Sequence, residues 1–458
     1  VEKSGCIVTV ASNITEDHNV VAVAAKQAIA KGSKLVVIDS REVELTRYSD
    51  VWLKPRPGTD SIVIGSMLRV IVEESLENQE FLVANVNNLD NFKHSLWQFD
   101  LKRVEDLTGV SEDDIRTASR IVGNASSSSI LYALDNLDSD QRAATEKALV
   151  SLALITGNIG NEAGGIYPLR PGANDQGSWD MGCVPNLLPG YRSIEDNSRD
   201  EIEQFWGSDL PQDQGHGALE IFPSITKGDI KAMLIVGDSP NFANGELGEV
   251  MDCVKDLDFL VVQDSFLSEI GKHADVVLPS VTFAEKDGTL TSLERRVQPL
   301  KKALEVNNSL AMPDWWIISE IAKTMGFSSF DYHCPAQILN EISATIPFYA
   351  GIKYERVISG VGLLQPAGVS NFPIPSQLIP TPGGQNNGIQ WPCFSETDEG
   401  TSTLYSNLQE QGKLSIEPLN IVEPKTSVDK EFPLLFIPGR VLHESRELSI
   451  DLVNNKNQ

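Results

Sequence analysis

One unit of sequence occurs twice in this chain, and a repeat of that kind constrains the fold more than any single motif. The β-branched run Cys6 to Val10 leads into the turn Ala11-Ser12-Asn13. A helical stretch rich in Ala and Val follows from Val20 to Ala30, then a second apolar run, Leu35 to Ile38, that ends in Asp39-Ser40-Arg41. Later, Met233 to Val236 leads into Gly237-Asp238-Ser239-Pro240, a helix around Leu247 to Val254, and the run Phe259 to Val262, which ends in Gln263-Asp264. The likeness continues past the second strand, because Asp39 precedes Asp50-Val51-Trp52-Leu53 by the interval that separates Asp264 from Asp275-Val276-Val277-Leu278. Short apolar strands alternating with helices pack as βαβ units on a parallel sheet. Two copies therefore predict an α/β fold with two related doubly wound, Rossmann-like domains and mainly parallel sheets.

In such sheets ligands bind at the carboxyl ends of the strands, where turns expose backbone N–H groups and helix N-termini favour phosphate. An acid at the end of the second strand can accept hydrogen bonds from a ribose or a guanine edge. Neither turn carries Gly-x-Gly-x-x-Gly, so an ordinary NAD site is not supported. Helix capping or a loop salt bridge is the plain alternative for Asp39 and Asp264. The duplication favours two nucleotide-like ligands, or one ligand held between two domains.

At 458 residues the chain is too long for one core. The expected divisions are a first α/β domain over 1–171, a second over 172–330, an irregular connecting region over 331–430, and from 431 to 458 the start of a β-rich domain. A helix is expected from Gln141 to Thr156, closed by Gly157, and another from Asp314 to Met325. Gly164 to Gly190 is a polar, glycine-rich passage with little periodicity, and a loop of that length is usually functional or disordered. Gly368 to Gly388 reads as irregular surface, and Leu434 to Ile437 as a new strand. The chain opens on Val1 inside a strand pattern, so a piece of a longer protein is expected. A formal charge of −27 repels phosphate-rich partners, which excludes nonspecific nucleic-acid binding. The five cysteines form no Cys-x-x-Cys pair, no metal-ligand set is visible, and no apolar run approaches a membrane span.

The stretch from Leu169, LRPGANDQGSWDMGCVPNLLPGY, resembles a loop of formate dehydrogenase large subunits in which an arginine precedes Asn, Gln-Gly, Asp-Met-Gly and Leu-Pro-Gly-Tyr. Leu154 to Gly160, Val262-Gln263-Asp264-Ser265-Phe266, Ala274 to Pro279 and Glu285-Lys286-Asp287-Gly288-Thr289 resemble signatures of the wider molybdopterin oxidoreductase family. Pro313 to Ile318 and Gln390-Trp391-Pro392-Cys393 continue the likeness, which spans nearly the whole chain in order.

That resemblance implies a bis-molybdopterin guanine dinucleotide with molybdenum or tungsten, its two halves in the two related domains. It also implies a 4Fe-4S cluster and a Cys-His or selenocysteine-His pair encoded before Val1. By similarity Asn13, Asp39, Ser40 and Arg41, with Gly58 and Asp60, would bind one guanine nucleotide. Gln263, Asp264 and Ser268 would bind the other, and Arg440, with His443 a weaker candidate, would lie in the domain that closes over the pterins. Arg170 is the residue expected to face substrate. A guanidinium offers a planar fork that matches a carboxylate in two hydrogen bonds and stays charged at any working pH. The implied reaction is oxidation of formate to carbon dioxide, with two electrons leaving through iron-sulfur clusters to electron-transfer subunits, in the cytoplasm and without direct membrane insertion.

Departures from the family pattern point to a second reading. Ala133-Leu134-Asp135 and Asp138 stand where formate dehydrogenases show Gly-Met-Gly and Gln, so acidic side chains would face a phosphate-rich cofactor. Pro171-Gly172 replaces Gly-Gln, Ile270 a threonine, and Ser292 an asparagine. Such losses suit the large iron-sulfur subunit of bacterial NADH-quinone oxidoreductase, which shares this ancestry and wires electrons without metal catalysis. His18 precedes a helix, where a pterin contact and a helix-start hydrogen bond are both open.

Overall fold

β1 (Cys6–Val10) is buried at every position, the pattern of a central strand in a parallel sheet covered on both faces. It lies between β2 (Lys34–Ile38) and β4 (Ser128–Tyr132), parallel to both, with Val8 opposite Val36 on one side and Ile130 on the other. β3 (Val51–Leu53) extends the sheet beyond β2, and β5 (Gly165–Pro168) extends it beyond β4. The order is β3-β2-β1-β4-β5, so the winding reverses between β1 and β4. The computed structural model describes residues 1–134, 137–195, 198–237, 252–305, 309–359, 388–406, 412–424 and 434. The chain divides into two compact units, Val1–Pro171 with Thr403–Gln458, and Gly172–Ser402.

In the first unit α1 (Asn19–Ala30) joins β1 to β2. α2 (Asp60–Glu73) is buried without a break from Asp60 to Leu68, which suits a helix that is apolar nearly all round. It packs against α3 (Leu101–Thr108), α4 (Glu112–Gly123) and α5 (Ser139–Ile155). A Cβ at Gly65 would stand 2.4 Å from Phe99 Cε1, so glycine lets that ring close on the helix. One continuous apolar core results, running from Val8 and Val36 through Met67 and Leu68 to Leu149 and Leu152.

The second unit holds α6 (Asp175–Asp180) and a smaller parallel sheet of β6 (Ala232–Val236), β7 (Phe259–Asp264) and β8 (Val276–Pro279), in the order β8-β7-β6. Here the repeat read from sequence is present in three dimensions. Asp50 accepts the Leu35 N–H at 2.9 Å, and Asp275 accepts the Leu260 N–H at 2.7 Å. The N–H after β1, of Ala11, donates to Ile38 O at 2.9 Å; the N–H after β6, of Gly237, donates to Gln263 O at 2.8 Å. Ala11 and Gly237 both sit at positive φ, +47° and +75°. β9 (Gly288–Thr291), β10 (Arg296–Leu300) and β11 (Ile389–Gln390) form an antiparallel sheet, and α7 (Asp314–Thr324) and α8 (Pro335–Thr345) belong to the same unit.

The expected mixed α/β class with mainly parallel sheets is therefore what forms. The region expected to be an irregular connection differs. Its first part contains α8, started by Pro335 at the first helical turn, where the missing N–H costs nothing. Further on, Leu414 pairs in parallel with Val86, and Ile416 and Leu419 are buried in the first unit's core, so residues 412–424 are tied to the first unit by apolar burial. Of the helix expected around Leu247, only Asp252 to Val254 are described. The strand expected at Leu434 to Ile437, Arg440 and His443 lie outside the described residues, apart from the exposed Leu434.

Candidate functional site

The carboxyl edge of the larger sheet gathers most of the residues singled out in the sequence. After β1, Asn13 opens a short helix, Ile14–Asp17; its carbonyl accepts the N–H groups of Glu16 and Asp17, both at 3.0 Å, and its Oδ1 accepts the Thr15 hydroxyl at 2.9 Å. After β2, Asp39 is 3% exposed. Its Oδ1 accepts the Arg41 N–H at 2.8 Å and lies 3.6 Å from Arg41 Nε, while its carbonyl accepts Trp52 Nε1 at 2.9 Å. Ser40 and Arg41 follow, half-buried. After β3 comes Gly58, at φ +79° and so close to Gln141 that a Cβ would stand 2.7 Å from Nε2. Asp60 then starts α2, 3% exposed.

Burial dominates the electrostatics of this edge. It raises the Asp39 pKa, opposed by the Arg41 N–H and guanidinium. Asp60 has no comparable cation, and burial, aided by the negative charge of Asp39, pushes it up to about 7. Arg170 follows β5 at the other end of the same edge, three strands from β2 and so roughly 14 Å along it. The adjacent Leu169 N–H donates to Tyr132 O at 2.8 Å. The Arg170 charge acts on the Tyr132 phenol, which burial pushes up to about 12, and on Glu146, which burial raises and Arg142 and Arg170 lower.

The equivalent end of the smaller sheet is built differently. Gln263, at the position that matches Ile38, is fully buried and donates from Nε2 to Asp314 Oδ1 at 3.0 Å. Asp314 is also paired with Lys286; burial, the largest single influence, raises its pKa, but the bond and charge of Lys286 together with the Gln263 and backbone hydrogen bonds lower it overall. Asp264 Oδ1 accepts the N–H groups of Ser265 at 2.6 Å and Phe266 at 3.3 Å, and Ser268 Oγ accepts the Gly271 N–H at 3.1 Å. Local turn geometry thus accounts for one oxygen of Asp264 and for Ser268.

Both strand ends nonetheless hold buried polar atoms without a hydrogen-bond partner. These are Ser12 Oγ, Asp39 Oδ2 and Ser61 Oγ in the first unit and Gln263 Oε1 in the second. Each such atom costs about 1–3 kcal/mol if nothing reaches it. Unpaired atoms also occur at Thr9 and Ser128 inside the sheet and at Glu77, so the strand-end set gains its meaning from its place. Donor and acceptor groups without partners at the carboxyl ends of parallel strands, Ser12 among them where the larger sheet reverses, fit a polar, nucleotide-like group. A cavity of about 230 Å³ in the second unit, lined by Asn174, Thr291, Trp315, Leu339 and Tyr349 among others, contains none of the residues expected at a site.

Three details correct or extend the sequence reading. Asp138, expected to face cofactor phosphate, caps α5 by accepting the Gln141 N–H at 2.9 Å, and Asp135 lies outside the described residues. The His18 side chain does not cap α1. Asp180, in the Asp-Met-Gly stretch, was not singled out. It is fully buried and accepts from Tyr349 Oη at 2.5 Å, Trp391 Nε1 at 2.8 Å, Tyr191 Oη at 2.7 Å and Gln176 Nε2 at 2.8 Å. Its motif, with Gln176 and Tyr191 in the same stretch, is visible in the sequence; the approach of Tyr349 and Trp391 from two distant stretches is not.

A family model described as molybdopterin oxidoreductase matches residues 1–324. The chain is 35% identical over 445 residues to a formate dehydrogenase alpha subunit of Methanocaldococcus jannaschii, covering 96% of this chain and 62% of that protein. It is 30% identical over 429 residues to formate dehydrogenase H of Escherichia coli, covering 92% of this chain and 56% of that protein. Acetylene hydratase from Pelobacter acetylenicus superimposes with a TM-score of 0.61 at 20% identity, over 77% of this chain and 51% of that one, which shows a shared fold. The chain thus spans about 60% of the length of these two formate dehydrogenase relatives. Among the described residues no helix is long and apolar enough to cross a membrane.

Proposed function

This chain belongs to the molybdopterin oxidoreductase family, and from that premise we propose that it is the cofactor-holding part of a formate-oxidising catalytic subunit. Membership implies a molybdopterin cofactor with molybdenum or tungsten. The observation that carries the reading is the pair of equivalent strand ends, each holding a buried polar side chain with an atom that has no hydrogen-bond partner. On this reading the cofactor is a bis-molybdopterin guanine dinucleotide. Asn13, Asp39, Ser40, Arg41, Gly58 and Asp60 hold one guanine nucleotide, Gln263, Asp264 and Ser268 hold the other, and Arg440 serves the pterins. When bound, the group would supply a metal able to take up the two electrons released as formate becomes carbon dioxide and a proton. Similarity to formate dehydrogenase subunits over nearly the whole chain supports formate as substrate. A 4Fe-4S cluster and partner subunits would carry these electrons onward.

The part of Arg170 is to bind and aim. Its guanidinium holds the formate carboxylate through two parallel N–H donors and fixes the direction of the C–H bond. Two departures from the family pattern do not weigh against this. Gly172 is where the backbone needs room, since its N–H donates to Asp175 Oδ2 at 2.8 Å and a Cβ would stand 2.1 Å from Asp175 Oδ1. Asp138 is spent on a helix cap.

In metal-loaded full-length protein, Arg170→Lys keeps the charge and loses the fork, so formate-dependent dye reduction should fall roughly tenfold or more with cofactor content unchanged. Arg170→Ala should fall further. Undiminished turnover in both variants would take Arg170 out of the active site. Absence of molybdenum, tungsten and extractable pterin from the purified protein would favour the electron-wiring subunit instead.

A further inference from the structure

The first strand end holds two buried carboxyl groups and one guanidinium, and the guanidinium is committed. Arg41 donates its N–H to Asp39 Oδ1 and stands 3.6 Å from it through Nε. Asp60, 3% exposed, takes part in no salt bridge among the described residues. Several cations on neighbouring elements are engaged elsewhere. Arg56 donates to the carbonyls of Asp106 and Leu107, Arg69 faces Glu73 and Asp100, Arg116 and Arg120 pair with Glu74, and Arg142 acts on Glu146. Asp60 is left facing Asp39, a like charge. Two carboxylates that share a buried site do not both ionise readily. The position at the start of α2 favours a negative charge, but it is outweighed by burial. Beside the pair, Ser12 Oγ and Ser61 Oγ, 3% and 4% exposed as residues, have no partner, and neither does Asp39 Oδ2.

Resting on the nucleotide reading of this crevice, we propose that Asp60 is a neutral carboxylic acid that serves as a hydrogen-bond donor beside the ionised Asp39. A nucleotide there is met by one acceptor-only group and one donor, and its hold loosens as Asp60 gives up its proton. The transition centres near neutrality, at about 7.

Two measurements on cofactor-free full-length protein test this. The first is thermal unfolding from about pH 5 to about pH 9 for wild type and Asp60→Asn, whose amide stays neutral. An acid whose folded pKa is raised binds more protons folded than unfolded between the two values. The stability it lends is therefore full below the unfolded value, is lost as pH climbs to about 7, and changes no further above that. Wild type should lose roughly 5 °C across that window relative to Asp60→Asn. The second is calorimetric titration with guanosine, which carries no phosphate to ionise. Wild-type affinity should fall about tenfold from pH 6.5 to pH 8, while Asp60→Asn changes less than about twofold. If Asp60→Asn does not fold, Asp39→Asn replaces it, and removal of the neighbouring charge should move the wild-type transition to lower pH.

Superimposable unfolding curves for wild type and variant would overturn the proposal. Different unfolding curves with pH-independent guanosine binding would overturn the donor role and leave the nucleotide reading standing. No guanosine binding at any pH would overturn the nucleotide reading itself, and the donor role with it.

Discussion

The two copies of the strand-helix-strand unit share a backbone and differ in what surrounds it. In both, an aspartate fifteen residues along reaches back to cap the second strand, Asp50 to Leu35 and Asp275 to Leu260. Yet β1 is buried throughout, whereas Leu234, Val236 and Phe259 of the second copy are 44%, 43% and 47% exposed. The carboxyl ends of the strands differ as well. The first presents a buried carboxyl pair with one guanidinium, and the second a buried amide wired to the Lys286–Asp314 ion pair. The two copies therefore share the course of the backbone and differ in the side chains that the strand ends present. The same contrast runs through the units. The first is organised by one continuous apolar core, the second by smaller separate apolar clusters and a polar node at Asp180.

The largest expected effect would break that contrast at the node. Asp180→Ala leaves Trp391 Nε1 buried without its acceptor and Tyr349 Oη with only the Thr291 hydroxyl at 3.1 Å, at about 1–3 kcal/mol for each bond lost. Hydrogen exchange should rise across residues 174–191 and 346–352 while the first unit stays protected. In the first unit, Met67→Ala should cost about 2–5 kcal/mol by cavity formation, with the exchange pattern reversed. If either variant loosened both units equally, the two would share one cooperative core.

Cofactor retention sharpens the comparison of the two ends. Asp39→Ala removes a buried charged acceptor and should lower retention by roughly tenfold or more, on charge-assisted bonds of about 1.5–3 kcal/mol. Asp264 has an oxygen already engaged by its own turn, so Asp264→Ala should cost about threefold or less, and Gln263→Ala more than that. Equal losses from Asp39→Ala and Asp264→Ala, read as pterin per protein, would make the ends equivalent after all. The smallest effect concerns the shared left-handed turn. Gly237→Ala should destabilise by about 1 kcal/mol, and Ala11→Gly should change stability by less, since relief of strain is offset by added freedom in the unfolded chain. Unfolding midpoints of both variants check this.

Much of the architecture was legible because it rests on local rules. β1 was read with the bounds the structure has, and α1, α5 and α7 to within two residues, since strand and helix periodicity and their caps are written in neighbouring residues. Reading failed where a residue's meaning depends on a distant one. Asp138 looked like a charge facing cofactor phosphate and is a helix cap. Residues 412–424 looked like a connection and close the first core through Ile416 and Leu419. Gly58 is a glycine by virtue of its left-handed φ and of Gln141, far along the chain.

The sequence by itself determined the α/β class, the duplication and the family, because each is carried by many residues in order and no one of them must be right. Only the tertiary structure decided the state of the individual groups. Asp39, Asp60, Asp180 and Asp264 are the same residue type in sequence. Asp39 lies beside a guanidinium, Asp60 is buried against a like charge, Asp180 sits among four donors, and Asp264 is folded into its own turn. The difference arises because the free energy of a carboxylate is set by the water it loses and the partners it meets, and folding alone brings those together.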